Sequence, residues 1–572
     1  MFSSRATFVL GGILACALGA PDPSWAAWPI DGTGMCTATS DQSYPAAISD
    51  DGGGAIVVWQ DTRGGNPKIY AQRVTATGTI APGWPSNGIA VCSATGDQKG
   101  QSIARDGSGG VFITWEDYRA GGVQTDVYIQ RITAGGNLAS GWPAEGVALC
   151  TFTGSQGYPR VVFDGAGAIV TWQDYRGSTY DIYAQRVDAA GAPQWAANGL
   201  ALCAVAGHQK FPAIVSDAAG GAIACWEDGR AGSPDIYAQR INAAGAAQWS
   251  AGGIALCGAA WDQLSPRIIA GPANGAIVTW DDYRDFNADI YAQQVDGAGA
   301  TLWTSGGVAV CSNLAEQYGT NPVSDGAGGV IVPWNDFRNN SGDVFLQRIT
   351  AAGAVAPGWP ANGKAACTVS GNQFDPVAVS DDAGGVILSW DDFRDGRPSF
   401  EIYAQRITGL GSVAQGWPSQ GQLVCGAAND QLQPAIAPDL AGGAIIAWYD
   451  YRSGPADIYA YRVAASGGSP TVDVPPMQPT SLDLVQAFPN PMRARTEIRL
   501  RLTAGEHVTL DVVDLAGRRI RSLAEDQWLE AGIHAYAWDG RDAAGSRAPG
   551  GVYLISVRTG NRFAVRKLAL ID

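Results

Sequence analysis

Short apolar runs flanked by glycine-rich polar turns recur along most of the chain. Some mix apolar and polar residues, as in DIYAQRV (181–187), and suit a partly exposed strand. Others are apolar throughout, as in GAIVVW (54–59) and GAIVTW (275–280), and suit a strand covered on both faces. The runs keep a fixed interval: Trp59, Trp115, Trp172, Trp226, Trp280, Trp334, Trp390 and Trp448 stand 54–58 residues apart, and x-Asp-x-Arg follows each. The third copy contains four strand candidates, PRVVFD (159–164), AIVTWQD (168–174), DIYAQRV (181–187) and GLALC (199–203). Four short strands in each of eight units predict an all-β chain whose main part, residues 27–467, is an eight-bladed β-propeller. A stacked β-solenoid is the other arrangement, with shorter repeats and terminal caps. The repeat is also out of phase with the chain. WPIDGTGMC (28–36) is a trailing piece with nothing before it, and the last copy stops at DIYAYRV (457–463) without one. The first strand is therefore expected to complete the eighth blade, which hides the sheet edges.

DPVAVSDDAGG (375–385) and RAGSPDIY (230–237) carry a loose resemblance to TolB-type propeller repeats. That likeness implies the fold and the phase of the strands, and no chemistry.

Two polar features recur in every copy. One is a glutamine six residues after the unit's last cysteine: Gln42, Gln98, Gln156, Gln209, Gln263, Gln317, Gln373 and Gln431. The other is the pair after tryptophan: Asp61/Arg63, Asp117/Arg119, Asp174/Arg176, Asp228/Arg230, Asp282/Arg284, Asp336/Arg338, Asp392/Arg394 and Asp450/Arg452. If the inner strand starts at the proline, the glutamine lies in the connection between blades and shares one face with the pairs. A residue needed in every blade is usually needed by the blade, so these sets are expected to be structural: Asp and Arg pair with each other, and Gln binds main chain. The position between Asp and Arg is often aromatic, namely Tyr118, Tyr175, Tyr283, Phe337, Phe393 and Tyr451. That row is the candidate ligand face. Acids are seen only as repeated ones, so no catalytic residue is expected. The departures Gln294, Tyr461, Pro333 and Trp261 read as drift within the repeat. Loops such as SDGAGG (324–329) hold too few carboxylates for a firm calcium site, so no metal or other cofactor is expected.

Cys36, Cys92, Cys150, Cys203, Cys257, Cys311, Cys367 and Cys425 fill one equivalent position. Outer strands lie on the order of 20 Å from a propeller axis, so these eight cannot approach within the roughly 7 Å a disulfide needs. Cys225 could reach only Cys203. All are expected to be buried, small and unreactive.

Lys and Arg number 37 against 53 Asp and Glu, a net charge of −16 that disfavours nucleic acid as a partner. With three histidines, scattered at His208, His507 and His534, a histidine zinc site or a Ser-His-Asp triad has little to build on. Arg5, the apolar stretch 6–20 and Ser24-Trp25-Ala26 form a signal-peptide pattern over residues 1–26, and nothing else is apolar enough to cross a membrane. Export to the cell surface or medium is expected, with the periplasm, or a lipid on Cys16 within a lipobox-like ILAC (13–16), as alternatives.

Residues 468–481 read as a Pro/Ser-rich linker. After it the repeat stops, and TEIRLRL (496–502), HVTLDVV (507–513), GVYLISV (551–557) and RFAVRKLAL (562–570) belong to six or seven short strands, an immunoglobulin-like β-sandwich over 482–572. FPNPMRARTEIRLRL (488–502), VVDLAGRRIRSL (512–523), WDGRDAAG (538–545) and RKLALID (566–572) resemble FlgD-type immunoglobulin-like domains and the C-terminal sorting domains of type IX secretion. The resemblance implies a partner in the outer-membrane export machinery, through Pro489, Asn490, Pro491, Gly551, Val552, Tyr553 and Lys567. PNP alone would equally be a turn leading into a strand.

The sequence thus leads to an exported, monomeric propeller that binds protein or glycan without turning it over. A carbohydrate-active hydrolase and a structural envelope component are the alternatives.

Overall fold

The computed structural model describes residues 28–467, apart from 122–123, 340 and 395–398, and residues 483–570 apart from 489–491, 493–494, 503–504, 515–517, 550 and 560–561. The signal segment 1–26, the linker 468–481 and Pro489, Asn490 and Pro491 lie outside them. All regular structure among the described residues is β, and no helix there is long and apolar enough to cross a membrane. The chain divides into two compact units, Met1–Pro470 and Thr471–Asp572.

The first unit holds eight antiparallel sheets in sequence order. In the third, Gln156–Phe163, Gly167–Asp174, Asp181–Asp188 and Leu200–Cys203 are neighbours in that order. In the eighth, Gln431–Pro438, Ala444–Asp450 and Asp457–Val463 are joined by Thr33–Cys36 from the other end of the chain, with Thr33 opposite Ala460. The second strand of each sheet is largely apolar up to its tryptophan because it is covered on both faces; that tryptophan is 0% exposed in all eight copies. Truncating a tryptophan so placed costs about 3–5 kcal/mol. Neighbouring sheets share their cores: Ile56 and Val58 pack in one cluster with Ile113 and Trp115 of the second sheet, and Val57 and Trp59 in another with Ile446 and Trp448 of the eighth. Glycine precedes the outer strand because nothing larger fits. At Gly199 (φ 80°) a Cβ would lie 2.5 Å from the Trp172 ring.

The glutamines are placed differently from the expectation above. Each lies in its sheet's first strand, opposite the Asp of the pair (Gln156 opposite Asp174), and opens that strand in all but the seventh sheet, instead of lying in the connection between sheets. The strand continues through the proline because a bulge takes up the irregularity. Two residues after each glutamine the chain turns left-handed, at Tyr44, Gly100, Tyr158, Phe211, Ser265, Gly319, Asp375 and Gln433, with φ between 51° and 78°. Where proline follows, its missing N–H falls where the ladder is broken. In the two sheets without that proline the left-handed residue is glycine, which tolerates the conformation freely.

Each glutamine main-chain N–H also bonds to the preceding sheet, at the carbonyl just before that sheet's third strand. Gln98 reaches Pro67, Gln156 reaches Thr125, and Gln42 of the first sheet reaches Ala456 of the eighth.

The second unit has two antiparallel sheets. One contains Asp483–Phe488, Thr496–Leu502 and Gly532–Trp538; the other contains Arg519–Leu529, Glu506–Asp514, Gly551–Thr559 and Arg562–Leu570. Ile498, Leu500, Val508, Leu510, Val512, Trp538, Ile555, Val557 and Leu568 form the core. The strand Arg519–Leu529 has no alternating apolar signature in the sequence, and only two of its eleven residues are buried.

Candidate functional site

The Asp-x-Arg pairs lie at the end of the second strand, beside the glutamines. In the third sheet Trp172 Nε1 donates to Asp174 Oδ2 (2.9 Å), and Arg176 grips the same carboxylate through Nε (2.9 Å) and Nη2 (2.7 Å). Nη2 also donates to Asn198 O (2.8 Å) and to Sγ of Cys150 in the preceding sheet (3.4 Å), while the guanidinium lies 3.7 Å over Tyr183. The clamp recurs from Arg63 to Arg452, and all eight Asp are buried. The eight repeated glutamines are buried as well, and where the side chain donates it is chiefly to carbonyls of the connection just before it, as Gln156 Nε2 does to Gly154 O (2.9 Å).

The thiols differ from the expectation in their surroundings. All nine described cysteines are buried and free, Cys203 and Cys225 included, but the eight repeated ones face an Arg–Asp pair instead of a purely apolar pocket. Burial still dominates and pushes the Cys150 thiol up to about 12.

A second clamp, absent from the sequence reading, sits at the other end of the sheets. Asp50 accepts the N–H groups of Gly52 and Gly54 and pairs with Arg73, whose Nη1 reaches Ala134 O in the next sheet (2.8 Å). The signal was the Arg of DIYAQRV. Gln294 is that Arg's replacement in the fifth sheet, where Gly271 takes the place of Asp, so both halves of the pair are missing together.

Of the six candidate aromatics, Tyr175 is exposed and the other five are half-buried. Most rest on protein rings: Tyr175 on Tyr180 (4.8 Å), Phe337 between Tyr318 and Phe374, Phe393 on Phe400 (5.0 Å) and Tyr451 on Tyr449 (5.8 Å). Tyr118 has Lys99 Nζ 5.6 Å from its ring, and burial raises the Tyr283 phenol.

The left-handed positions carry more open aromatic surface, with Tyr44 55%, Tyr158 44% and Phe211 38% exposed. Beside them stands the residue between Trp and Asp, which varies from copy to copy: Gln60, Glu116, Gln173, Glu227, Asp281, Asn335, Asp391 and Tyr449. Five of these side chains accept from left-handed residues of the next sheet. Glu116 takes Tyr158 N–H (2.7 Å), Gln173 takes Phe211 (3.1 Å), Glu227 takes Ser265 (2.8 Å), Asp281 takes Gly319 (3.2 Å) and Asn335 takes Asp375 (3.1 Å). A cavity of about 440 Å³ opens here, lined among others by Tyr44, Gln60, Gln101, Glu116, Tyr158 and Gln433.

The expectation that acids only repeat is therefore corrected. Glu116, Glu227, Asp281 and Asp391 hold a position where other copies have amides or tyrosine, and burial raises the pKa of each, with Asp281 reaching about 7 against the pull of the Gly319 N–H and Arg267. The sequence signal was a variable residue inside an otherwise constant W-x-D, and its placement becomes legible only once the sheets are assembled.

In the second unit, Gly551 opens a strand, and Tyr553 is a core residue whose hydroxyl donates to Pro549 O (2.6 Å) and whose ring meets Trp538 edge-on. Lys567 pairs with Leu554 and Val552 with Ala569 in the backbone register.

Residues 492–562 match the family model described as the FlgD Ig-like domain, in agreement with the resemblance drawn from the sequence. No curated protein matches the chain. Among solved structures the chain is similar to a protein of unknown function from Dyadobacter fermentans (10% identity, TM-score 0.39, covering 76% of this chain and 97% of that one). It is also similar to a PL25 polysaccharide lyase, an ulvan lyase (10%, 0.41, 77% and 96%), and to a Hadza microbial sialidase (13%, 0.32, 69% and 73%).

Proposed function

We propose that this chain is an exported eight-bladed β-propeller that binds saccharide at its axial mouth, and that its Ig-like C-terminal unit serves export or surface attachment. The closing pairing of Thr33–Cys36 with Asp457–Val463 and the bond from Gln42 to Ala456 support the ring. One observation carries the binding reading: in a repeat that keeps its Trp-linked clamp in every copy, variation is concentrated at the left-handed and W-x-D positions that meet at the mouth. Tyrosine and phenylalanine there, beside carboxylates and amides, supply the stacking faces and directional hydrogen bonds that sugar rings take. The test is a glycan array with the full chain and two variants. Changing Tyr44, Tyr158 and Phe211 to Ala should abolish binding, while changing Tyr118, Tyr175, Tyr283 and Tyr451 to Ala should weaken it only slightly. No binding to any glycan would leave a protein ligand or an envelope role as the account.

A second reading, a carbohydrate-active enzyme, is favoured by Asp281. A carboxyl held near 7 can hold or release a proton at neutral pH, as general acid–base work requires. Turnover of oligosaccharides that disappears in Asp281→Asn would establish it; binding without turnover would leave the non-catalytic reading.

A further inference from the structure

Arginines in the first unit are almost all neutralised. Sixteen described ones form an ion pair with an Asp: eight in the Trp-linked clamps, seven in the clamps at the other end, and Arg105 with Asp51. Arg160 and Arg267 are the exceptions among the described residues of this unit. Each bends back onto the carbonyl of its own preceding proline, Arg160 Nη1 to Pro159 O (3.0 Å) and Arg267 Nη1 to Pro266 O (3.4 Å). They occupy the same place in two sheets, two residues after the left-handed position. The other six copies have Ala46, Ser102, Ala213, Asn321, Val377 and Ala435 there.

These first strands line a second cavity, of about 410 Å³, bounded by Ser102, Arg160, Ala213, Arg267 and Asn321. Arg160 lines both this cavity and the mouth, so the two adjoin. Asn321 spends its carboxamide oxygen on Ala378 N–H (3.1 Å), so what it offers the cavity is its N–H donors. The nearby carboxylates form no ion pair with either arginine and offset the charge only in part, Glu116 at Arg160 and Glu227 and Asp281 at Arg267. Glu116, Glu227 and Asp281 each give an oxygen to a main-chain N–H of the next sheet, and burial drives all three toward the neutral acid. Burial and the charge of Arg267 likewise pull the Arg160 guanidinium down to about 10. Two guanidiniums without an ion-pair partner on one cavity wall, in a protein of net charge −16, are a configuration that a bound oxyanion relieves.

We propose that Arg160 and Arg267 form an anion subsite in the axial cavity, which takes the carboxylate or sulfate of an acidic saccharide whose sugar rings lie at the mouth. The proposal rests on the saccharide-binding reading for the identity of the ligand, but not for the anion site itself. The arginines are binding residues, and no bond is made or broken.

The full chain would be titrated with glucuronate, glucose 6-sulfate, glucose and inorganic sulfate by calorimetry, together with Arg160→Gln and Arg267→Gln. At least one acidic sugar should bind ten or more times tighter than glucose, lose affinity as salt rises, and lose tenfold or more in each variant. Which acidic sugar binds tighter separates carboxylate from sulfate as the natural group. Both variants should unfold at a temperature equal to or above that of the parent, because a like-charge contact is removed; this also shows that lost binding is not lost folding. Sulfate binding that depends on both arginines, with no sugar bound, would uphold the anion subsite and overturn the saccharide reading. Equal binding of glucose and the acidic sugars, unchanged in both variants, would overturn the subsite and leave the saccharide reading standing. No binding of any probe would overturn both.

Discussion

The clamps and the mouth are built by the same repeat and obey opposite rules. In the Trp-linked clamp Asp and Arg are the same in all eight sheets, fully engaged, and reach across to the neighbouring sheet. At the mouth, the middle of W-x-D is an acid in four sheets, an amide in three and tyrosine in one, and the left-handed position runs from glycine to tyrosine. Only one residue separates the constant tryptophan from the constant aspartate, so the two rules operate within a single strand. Sameness in every copy marks what joins the sheets; difference marks what a ligand could read.

The sharpest way to break this comparison is to remove residues 28–36. The eighth sheet would lose its fourth strand, with Trp28, Met35 and Cys36 at 5%, 1% and 1% exposure, and Arg452 would lose its acceptor at Asp31 O. A loss on the order of 5 kcal/mol or more is expected in urea unfolding. Next is Asp174→Ala, which strips Arg176 and the Trp172 N–H of their shared acceptor. It should cost about 3–5 kcal/mol, whereas Glu116→Gln at the mouth should change stability far less in the same measurement.

The third test uses pH. Asp281 has its carboxyl at about 7 in the folded chain against an ordinary value of 3.8. The folded state therefore holds a proton, between roughly pH 4 and 7, that the unfolded state has released, and stability falls as pH rises through that window. Asp281→Asn removes the penalty and keeps an acceptor for Gly319 N–H. The variant should gain up to about 4 kcal/mol at pH 8 and nothing below about pH 3, where both the folded and the unfolded carboxyl are protonated; Glu227 and Arg267, which face the same carboxyl, set the remaining slope. The smallest effect is at Tyr44, exposed and left-handed with φ 55°. Tyr44→Gly relieves strain and should stabilise by about 1 kcal/mol, yet weaken saccharide binding, so that stability and affinity move in opposite directions.

The order of the strands, and the bounds of the second and third to within a residue, were legible because their apolar runs GAIVVW and DIYAQRV repeat; the first strand starts three residues before the expected one. The Trp-linked pairs were legible because they repeat. The mouth was not, for a geometric reason: Glu116 and Tyr158 stand 42 residues apart and meet only because a bulge turns Tyr158 N–H toward the preceding sheet. Arg160 and Arg267 were in plain view after proline, but an arginine announces itself only when its missing partner can be seen. The exposed strand Arg519–Leu529 was hidden because it buries too little to leave a pattern.

The strand that completes the eighth sheet comes from the start of the chain, and Arg452 finds its acceptor 421 residues back, at Asp31. A polypeptide emerging N-terminus first can pair seven sheets as it lengthens, but its leading strand must wait, edge open, for almost the whole unit to arrive. Such a chain reaches its final form late, and until then both the first strand and the eighth sheet carry an open edge.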